Sequence, residues 1–575
     1  MKRSFEASIS LGLAFFIAAC GTSSPGGPGG QAGASSVPGP QGSSGATNGA
    51  SGSSSGVAGA ANGVAGAASG VAGAANGVSG APSTNPAGGS GPGASGGSNS
   101  STGGSATGTA GTTSAQAGGS STGGGGGTVP PVLPDVVTSA DGAFWKVGTL
   151  TASTGTADVT ADDASLKQRW DGFGGTFNEA GWDALAVLSD ADRALAMKLL
   201  FDATDGANFA FGRLPIGASD YAMKRYTLAE TKDDFTMASF TIAQDKKLLI
   251  PFIKAGLAVK PDIRLWASPW TPPAWMKSNN STDDGSMKDD PKVLDAFALY
   301  LEKFVQAYAA EGLTISAVHP QNEPGYVNPY PSCSWTGALY IKFIRDYLGP
   351  LFAKDKVPAE IWCGTMSNQT DGDIAKNLAN DSKALAFVKG FGMQWNTDGA
   401  VGSLKSTNLP IWQTEHRCGN YDFNSVNATS TYDPNKPQND FAYGVESWKN
   451  IRDWINKGVN GYSAWNMVLD TLGTNLNASK PWHQNALLVV DRSAKKLIQT
   501  PAYYVFRHLS QFVAPKANVI GTSGGDALAF KNPDGTIVVV MYNSGAAKTA
   551  TVSLGGTKFS FAMPGNGWAT VHHKK

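Results

Sequence analysis

Residues 294–322 read LDAFALYLEKFVQAYAAEGLTISAVHPQN and contain a helical pattern followed by a strand pattern. The pattern predicts a helix over 294–311 and a strand over 314–322. The same alternation extends in both directions along the chain. Further helices are predicted at 190–201 and 441–457, and further strands at 170–175, 209–217, 262–270, 360–364, 391–395, 410–415 and 461–467. Eight strand–helix units predict an α/β fold, specifically a (β/α)8 TIM barrel.

Two flanking segments do not follow this alternation. Residues 144–160 and 518–572 are rich in Val, Thr, Phe and Tyr, and a turn signal stands at Asn532-Pro533-Asp534-Gly535. They are predicted to form one small side β-sandwich built from both ends of the folded region. The predicted domains are a signal peptide at 1–20, a linker at 21–134, sandwich strands at 135–168, the barrel at 169–505 and further sandwich strands at 506–575.

The N-terminus has the features of an export signal. Lys2 and Arg3 precede an apolar run that is too short to span a bilayer, and it ends in Ile17-Ala18-Ala19-Cys20-Gly21. This ending resembles a bacterial lipobox, in which the Cys is lipidated. The alternative is an ordinary signal that carries a Cys at its cleavage site. The lipobox interpretation predicts export and lipid anchoring through Cys20 at the bacterial cell envelope or surface, with the outer membrane favoured.

Residues 21–134 contain no charged and no aromatic residue. Such a segment cannot bury enough apolar surface to offset its backbone entropy, so a disordered Gly/Ser/Ala-rich linker is predicted. A flexible chain of this length has a root-mean-square reach on the order of 60 Å. The linker could therefore hold a folded domain away from a cell surface.

Charge and cysteine content narrow the function classes. Lys plus Arg number 44 and Asp plus Glu number 44, so no net charge favours nucleic acid or an anionic membrane surface. Besides Cys20 the chain has Cys333, Cys363 and Cys418. A Cys333–Cys418 disulfide and three free thiols are both compatible with the sequence.

Two glutamates stand at the ends of predicted barrel strands. The fourth strand ends in Asn322-Glu323-Pro324 and the seventh in Gln413-Thr414-Glu415. Catalytic groups of a TIM barrel lie at the carboxyl ends of its strands. Two carboxylates that meet there fit glycoside hydrolysis, in which one protonates the leaving oxygen and the other attacks the anomeric carbon or activates water.

The chain resembles glycoside hydrolase family 30, in particular its glucosylceramidases and β-1,6-glucanases. The resemblance extends from Trp170 to about Ala514. The motifs that carry it are Trp170-Asp171-Gly172-Phe173-Gly174-Gly175, Arg213-Leu214-Pro215-Ile216-Gly217-Ala218-Ser219-Asp220, Ala267-Ser268-Pro269-Trp270-Thr271, Asn322-Glu323-Pro324, Thr414-Glu415 and Ala464-Trp465-Asn466.

The resemblance implies catalytic and substrate-binding roles for eight residues. Glu323 would be the acid/base and Glu415 the nucleophile of a retaining double displacement. Asn322 would contact the sugar 2-hydroxyl, and Arg213 would hold the carboxylate of Glu415. Asp220 and Trp270 would bind the outer hydroxyls of a glucosyl unit. Trp465 would form a wall on which the sugar stacks, and Asn485 would make one further sugar contact.

Structural roles are the alternative for several of these residues. Arg213 could form a salt bridge beneath the barrel, Asp220 could cap a helix, and Trp270 and Trp465 could be core aromatics. One motif also departs from the family pattern. Its glucosylceramidases carry His-Trp-Tyr on the sixth strand, whereas this chain has Gln394-Trp395-Asn396. The missing phenol near Glu415 argues against lipid-linked glucose as the substrate.

The predicted function is a surface-tethered retaining β-glycosidase that acts on a β-linked glycan or glycolipid. The alternatives are a non-catalytic carbohydrate-binding surface lipoprotein and a β-xylosidase or xylanase of the same family. Both glutamates argue against the first alternative. Asp220 and Trp270, which suit a sugar with a 6-hydroxymethyl group, argue against the second. No cofactor is expected, and the acidic loop at 283–290 fits a solvated loop better than a calcium site.

Overall fold

The computed structural model describes residues 133–419, 423–424, 429–430, 440–477 and 483–574, all within the unit Ser120–Lys575. The predicted signal peptide, Cys20 and nearly all of the predicted linker lie outside these residues. Among the helices that are described, none is long and apolar enough to cross a membrane.

The described residues form 24 strands. In chain order they are β1 (Val136–Ala140), β2 (Ala143–Val147), β3 (Thr151–Ala152), β4 (Val159–Arg169), β5 (Gly172–Thr176), β6 (Phe211–Ile216), β7 (Arg264–Pro269), β8 (Ile315–Val318), β9 (Glu360–Ile361), β10 (Thr365–Met366), β11 (Phe391–Gln394), β12 (Ile411–His416), β13 (Phe423–Asn424), β14 (Thr429–Ser430), β15 (Gly461–Asn466), β16 (Val468–Asp470), β17 (Leu488–Asp491), β18 (Lys496–Gln499), β19 (Asn518–Ser523), β20 (Asp526–Lys531), β21 (Ile537–Asn543), β22 (Lys548–Leu554), β23 (Thr557–Met563) and β24 (Gly567–His573).

The same part of the chain forms eleven α-helices. They are α1 (Glu179–Leu185), α2 (Asp190–Phe201), α3 (Leu249–Val259), α4 (Pro291–Ala310), α5 (Gly337–Phe343), α6 (Gly349–Asp355), α7 (Gln369–Asn380), α8 (Ser382–Leu385), α9 (Val401–Leu404), α10 (Phe441–Lys457) and α11 (Pro501–Ser510). Short 3-10 turns lie at Ala274–Met276, Asp398–Ala400 and Lys405–Thr407, and a π-helical turn lies at Ile344–Leu348.

Parallel strands form the barrel. The order is β10-β11-β12-β15-β5-β6-β7-β8-β9, and every neighbouring pair is parallel. The two end strands, β9 and β10, are halves of one strand that is interrupted at residues 362–364. There the Trp362 N–H donates to Val318 O and the Cys363 N–H donates to Gly390 O. The barrel is thus closed with eight strands, as the sequence predicts.

Apolar side chains fill the amino-terminal end of the barrel. Phe211, Trp266, Ala317, Trp362 and Trp412 form one buried cluster. The rings of Phe211 and Trp412 stack with centroids 4.7 Å apart. With this end filled, the polar side chains of the strands gather at the carboxyl end.

The predicted helices are present and begin at side-chain caps. Ser189 accepts from the Asp192 N–H at the start of α2, and Asp290 caps α4, which carries Pro291 in its first turn. Asp440 caps α10, which ends at Gly458 with φ 106°. Pro291 can enter α4 because the first helical N–H groups have no partner within the helix.

The side β-sandwich draws its strands from both ends of the described chain. Its ten strands follow the order β2-β1-β24-β21-β20-β19-β4-β22-β23-β3. The long β4 pairs with β19 antiparallel and with β22 in parallel, so it joins the two halves of the sandwich. A separate buried cluster that includes Val159, Val539, Val552 and Val571 forms its core.

A buried histidine links the barrel layer to the sandwich. His508 in α11 contacts Thr570 Oγ1 through Nδ1 and Ser139 Oγ through Nε2, each at 2.8 Å. Because Ser139 lies in β1 and Thr570 in the neighbouring β24, one side chain joins a barrel helix to sandwich strands from both ends of the described chain.

The three described cysteines Cys333, Cys363 and Cys418 are buried free thiols, so the Cys333–Cys418 disulfide does not form. In the acidic loop at 283–290, Asp283 forms an ion pair with Arg225 at 2.8 Å.

Candidate active site

A cavity of about 340 Å³ lies at the carboxyl end of the barrel. Its lining combines carboxylates, amides and aromatic rings from the loops that follow the strands. The lining residues are Asp220, Trp270, Asn322, Glu323, Tyr326, Tyr330, Ser367, Asn368, Trp395, Asn396, Glu415, Arg417, Trp465 and Gln484. Six of the eight residues singled out in the sequence line this cavity directly.

Glu415 lies at the end of β12, where its carboxylate receives two donors. Arg213 Nη1 forms an ion pair with Oε2, and the Trp395 Nε1–H donates to Oε1 at 2.9 Å. Arg213 comes from β6 and Trp395 follows β11, so strands on both sides of the barrel fix the carboxylate. This geometry presents Glu415 in a single orientation towards the cavity.

Arg213 is itself buried and held on all sides. Its Nη2 donates to Asn322 Oδ1 at 2.6 Å and to Ser268 Oγ at 3.0 Å. The guanidinium lies 4.3 Å from the ring centroid of Trp270 and 5.4 Å from that of Trp465. Its ion-pair partner is Glu415, which lines the cavity. Arg213 therefore does not form the alternative salt bridge beneath the barrel.

Glu323 follows β8 and has a different environment. The Gln394 Nε2–H donates to its Oε1 at 3.0 Å. In the described part of the chain no Lys or Arg forms an ion pair with it. Its backbone is left-handed, with φ 50°. This conformation is uncommon outside glycine and marks a position that the surrounding structure must hold.

The two carboxyl groups therefore differ in proton affinity. Burial raises the pKa of Glu323 well above its usual value, and the charge of Glu415 adds to that rise. Burial also raises the pKa of Glu415, but the Arg213 guanidinium and the Trp395 N–H oppose the rise. The first proton of the pair resides on Glu323. One protonated and one ionised carboxyl in the same cavity can act as an acid and a nucleophile.

Asp220 and two tryptophans form one wall of the cavity. Trp270 and Trp465 stack with centroids 5.3 Å apart and an interplanar angle of 18°. Asp220 Oδ1 is buried and has no hydrogen-bond partner among the described residues. Burial, and then the charge of Glu415, raise the pKa of Asp220 well above its usual value. No described helix begins at Asp220, so it is not a helix cap.

The two predicted amide contacts lie at different depths. Asn322 lines the cavity, and its Oδ1 also accepts from Thr365 Oγ1 at 2.8 Å. Asn485 is buried, its N–H donates to Gly419 O at 2.8 Å, and the neighbouring Gln484 lines the cavity in its place.

From the sequence alone, no role was assigned to Gln394, Trp395, Tyr326 and Tyr330. Gln394 and Trp395 donate to the two central carboxylates, and both lie at the end of the predicted sixth strand at 391–395. Glu323 and Glu415 were selected because they stand at the carboxyl ends of predicted strands, and the same criterion could have selected Gln394 and Trp395. Tyr326 and Tyr330 lie in the loop after Glu323, where the sequence has no periodic pattern.

Comparisons with known proteins agree with this architecture. The family model "Glycosyl hydrolase family 30 TIM-barrel domain" matches residues 170–513, and "Glycosyl hydrolase family 30 beta sandwich domain" matches residues 516–571. "Putative glucosylceramidase 1" of Caenorhabditis elegans is 27% identical over 68% of this chain and 77% of its own length. "Endo-1,6-beta-D-glucanase neg1" of Aspergillus fumigatus is 27% identical over 68% of this chain and 82% of its own length.

A solved structure supports the fold. "The endo-beta1,6-glucanase BT3312" aligns with a TM-score of 0.67 and 24% identity, and the alignment covers 76% of this chain and 99% of that protein.

Proposed function

The chain belongs to glycosyl hydrolase family 30, and we propose that it is a retaining β-glycosidase that cleaves β-glucosidic bonds. The observation that carries the proposal is the asymmetry between the two cavity carboxyls. Glu415 is paired with Arg213, whereas Glu323 has an amide partner. We assign Glu415 as the nucleophile and Glu323 as the acid/base.

In the first step, Glu415 attacks the anomeric carbon while the glycosidic C–O bond breaks. Glu323 donates its proton to the departing oxygen, so the aglycone leaves as a neutral alcohol. The product is a covalent glycosyl ester on Glu415, and Glu323 is left as a carboxylate.

In the second step, the Glu323 carboxylate takes a proton from water and the oxygen of that water attacks the anomeric carbon. The ester bond breaks and Glu415 regains its charge beside Arg213. Two inversions give a sugar with the original β configuration.

The cavity wall supports a glucosyl unit as the sugar that is transferred. The free Oδ1 of Asp220 can accept from an outer hydroxyl, and the apolar faces of Trp270 and Trp465 can pack against the ring. Asn322 lies beside Arg213 and lines the cavity, and we assign it the contact with the 2-hydroxyl. The sugar contact of Asn485 stays a prediction, because its neighbour Gln484 lines the cavity and Asn485 does not.

We assign an extracellular β-linked glucan as the preferred substrate. The two relatives carry the names "Putative glucosylceramidase 1" and "Endo-1,6-beta-D-glucanase neg1", so both glucosylceramide and β-1,6-glucan are candidates. The predicted lipid anchor at Cys20 and the linker at 21–134 favour a polysaccharide outside the cell.

The lipid anchor has its own test. Radiolabelled palmitate should be incorporated into the wild-type chain in a bacterial host, and a Cys20→Ser variant should remain unlabelled because it lacks the acceptor thiol.

The activity test is hydrolysis of 4-nitrophenyl β-glucoside, glucosylceramide, β-1,6-glucan and xylan by the purified chain. Glu323→Gln and Glu415→Gln serve as matched variants. Turnover of a β-glucosyl substrate that both variants lose supports the proposal, and the rates distinguish polysaccharide from lipid. Turnover of xylan alone would indicate a xylanase. Absence of turnover with glycan binding intact would indicate a carbohydrate-binding protein.

A further inference from the structure

Asp371 joins the loop that contains Glu323 to the loop after β10. It lies in the first turn of α7 and is fully buried. Its Oδ1 accepts a short hydrogen bond from the Gly325 N–H, two residues after Glu323. Its Oδ2 accepts from the N–H of Ser367 at 2.8 Å and from the Ser367 hydroxyl at 3.1 Å. One carboxylate thus binds the loop after β8 and the loop after β10.

These contacts constrain the backbone of Glu323. The Glu323 N–H donates to Thr365 O at 2.9 Å, and the Tyr326 N–H donates back to Glu323 O at 3.0 Å. The resulting turn contains the left-handed Glu323 and brings Gly325 against Asp371. A Cβ at Gly325 would clash with Asp371 Oδ1, so only glycine permits this approach.

We propose that Asp371 is a positioning residue for Glu323, which holds the strained turn so that the carboxyl of Glu323 points at the glycosidic oxygen. This role rests on the proposed function of Glu323 as the acid/base. Asp371 does not line the substrate cavity, so it acts through Glu323 and its turn rather than by touching the sugar.

The charge of Asp371 has a second effect on the same group. The groups that face Glu323 are the carboxyls of Glu415, Asp371 and Asp220, the Arg213 guanidinium, the Tyr330 phenol and the Gln394 amide. After burial and Glu415, the charge of Asp371 is the next cause that raises the pKa of Glu323.

The surroundings of Asp371 leave it ionised near neutral pH. Cys363 and Tyr340 face it, and burial raises the pKa of both. Burial raises the pKa of Asp371 to about 6, against its hydrogen bonds from Ser367 and Gly325. Asp371 therefore helps to keep the proton on Glu323 above pH 6.

The test compares two β-glucosides with different leaving groups. Phenyl β-glucoside needs a proton on its leaving oxygen, whereas 2,4-dinitrophenolate leaves without one. For Asp371→Asn we expect kcat/KM to fall about tenfold or more with phenyl β-glucoside, and by no more than about threefold with 2,4-dinitrophenyl β-glucoside. The basic limb of the kcat/KM profile should move to lower pH, because loss of the negative charge makes Glu323 easier to deprotonate.

Two further variants separate charge from position. Asp373→Asn makes the same charge change at an exposed site on α7 and should leave both substrates and the pH profile unchanged. Gly325→Ala keeps the charge but displaces Asp371 from the turn, and it should reproduce the selective loss on phenyl β-glucoside.

Equal losses on both substrates in Asp371→Asn and Gly325→Ala, with an unmoved basic limb, would overturn the role of Asp371. If Asp371→Asn does not fold, Gly325→Ala decides through the same substrate comparison. A wild type that hydrolyses none of the β-glucosyl substrates, β-1,6-glucan and glucosylceramide included, would overturn the proposed function itself, and this role with it.

Discussion

At the residue scale, the central feature is how Arg213 is used. A buried guanidinium must be paired and fully hydrogen-bonded to offset its lost hydration. Here it is bound by Glu415, Asn322 and Ser268 and lies between aromatic faces. The arrangement stabilises the ionised form of Glu415, which is the form that attacks an anomeric carbon.

Trp395→Phe tests the second donor to that carboxylate. The change removes the N–H that donates to Glu415 Oε1 but keeps an aromatic ring. Because the hydrogen bond favours the ionised form, its loss should raise the pKa of Glu415. We expect kcat/KM to fall about tenfold and the acidic limb of its pH profile to move to higher pH.

Trp362→Phe is the matched control for this prediction. Trp362 also donates its Nε1–H to a carboxylate, that of Glu360, at the same distance of 2.9 Å but at the filled end of the barrel. The Trp362→Phe variant should therefore leave the acidic limb of the kcat/KM profile at the wild-type pH. Equal shifts in both variants would show that the limb reports general loosening of the barrel.

Much of the residue-level site could be predicted because strand ends are visible in the sequence. Glu323 and Glu415 stand at the ends of predicted strands, whereas the roles of Arg213 and Trp270 were implied by the resemblance to the family. The hydrogen bonds that Gln394 and Asp371 make could not be predicted, since they depend on which loops meet in space. Asp220 does not cap a helix, because no described helix begins at this residue.

At the element scale, the glycine-rich β5 sets how closely two barrel strands pack. Gly174 faces Phe211 on β6, and a Cβ there would overlap the Phe211 carbonyl oxygen. Backbone strain is not the reason for glycine at this position, because its φ is not positive. Close approach between neighbouring strands is the reason.

Gly174→Ala should therefore destabilise the barrel. The neighbour in contact is backbone and cannot rotate away, so we expect a loss of about 3 kcal/mol in the free energy of unfolding, measured by urea titration. Gly402→Ala in α9, where a Cβ meets nothing within 4 Å, should be neutral or slightly stabilising. Similar midpoints for both variants would contradict the packing argument.

Element positions were predicted well where a local pattern determines them. The helices α2 and α10 have the predicted bounds because capping residues and apolar periodicity agree. The fifth barrel strand was predicted as continuous, yet it breaks into β9 and β10. Gly364 adopts φ 63° there, where a Cβ would meet the Tyr340 hydroxyl, a contact that no local pattern reveals.

At the scale of the whole molecule, His508 couples the barrel to the sandwich and makes stability depend on pH. Burial lowers its pKa to about 3. In the unfolded chain a histidine takes up a proton near pH 6.5, whereas the folded one does so only near pH 3. Between these values the unfolded state binds more protons, so stability falls as the pH falls, by about 1.4 kcal/mol per pH unit for this group.

His508→Asn should lower stability at neutral pH but should also reduce the steepness of the acid-induced loss. The urea unfolding free energy measured at about pH 6.5, 5.5 and 4.5 should fall less steeply than in the wild type, by about 1.4 kcal/mol per unit. Ser139→Ala removes a partner of His508 without removing the titrating group, and it should keep the wild-type slope. An unchanged slope in His508→Asn would contradict this assignment.

The two-ended sandwich was predicted because its strand patterns are local and flank the barrel. Its single ten-stranded order was not, because the pairing of β4 with both β19 and β22 joins residues from distant parts of the sequence. The predicted signal peptide, Cys20 anchor and linker remain predictions, since they lie outside the described residues.

Trapping the glycosyl-enzyme directly tests the assignment of Glu415 as the nucleophile. The chain is incubated with 2-deoxy-2-fluoro-β-glucosyl fluoride, digested and analysed by peptide mass spectrometry. We expect one fluoroglucosyl group on the peptide that contains Glu415, and none in Glu415→Gln. A label on another residue, or hydrolysis of a β-glucoside that releases the α-anomer first, would contradict it.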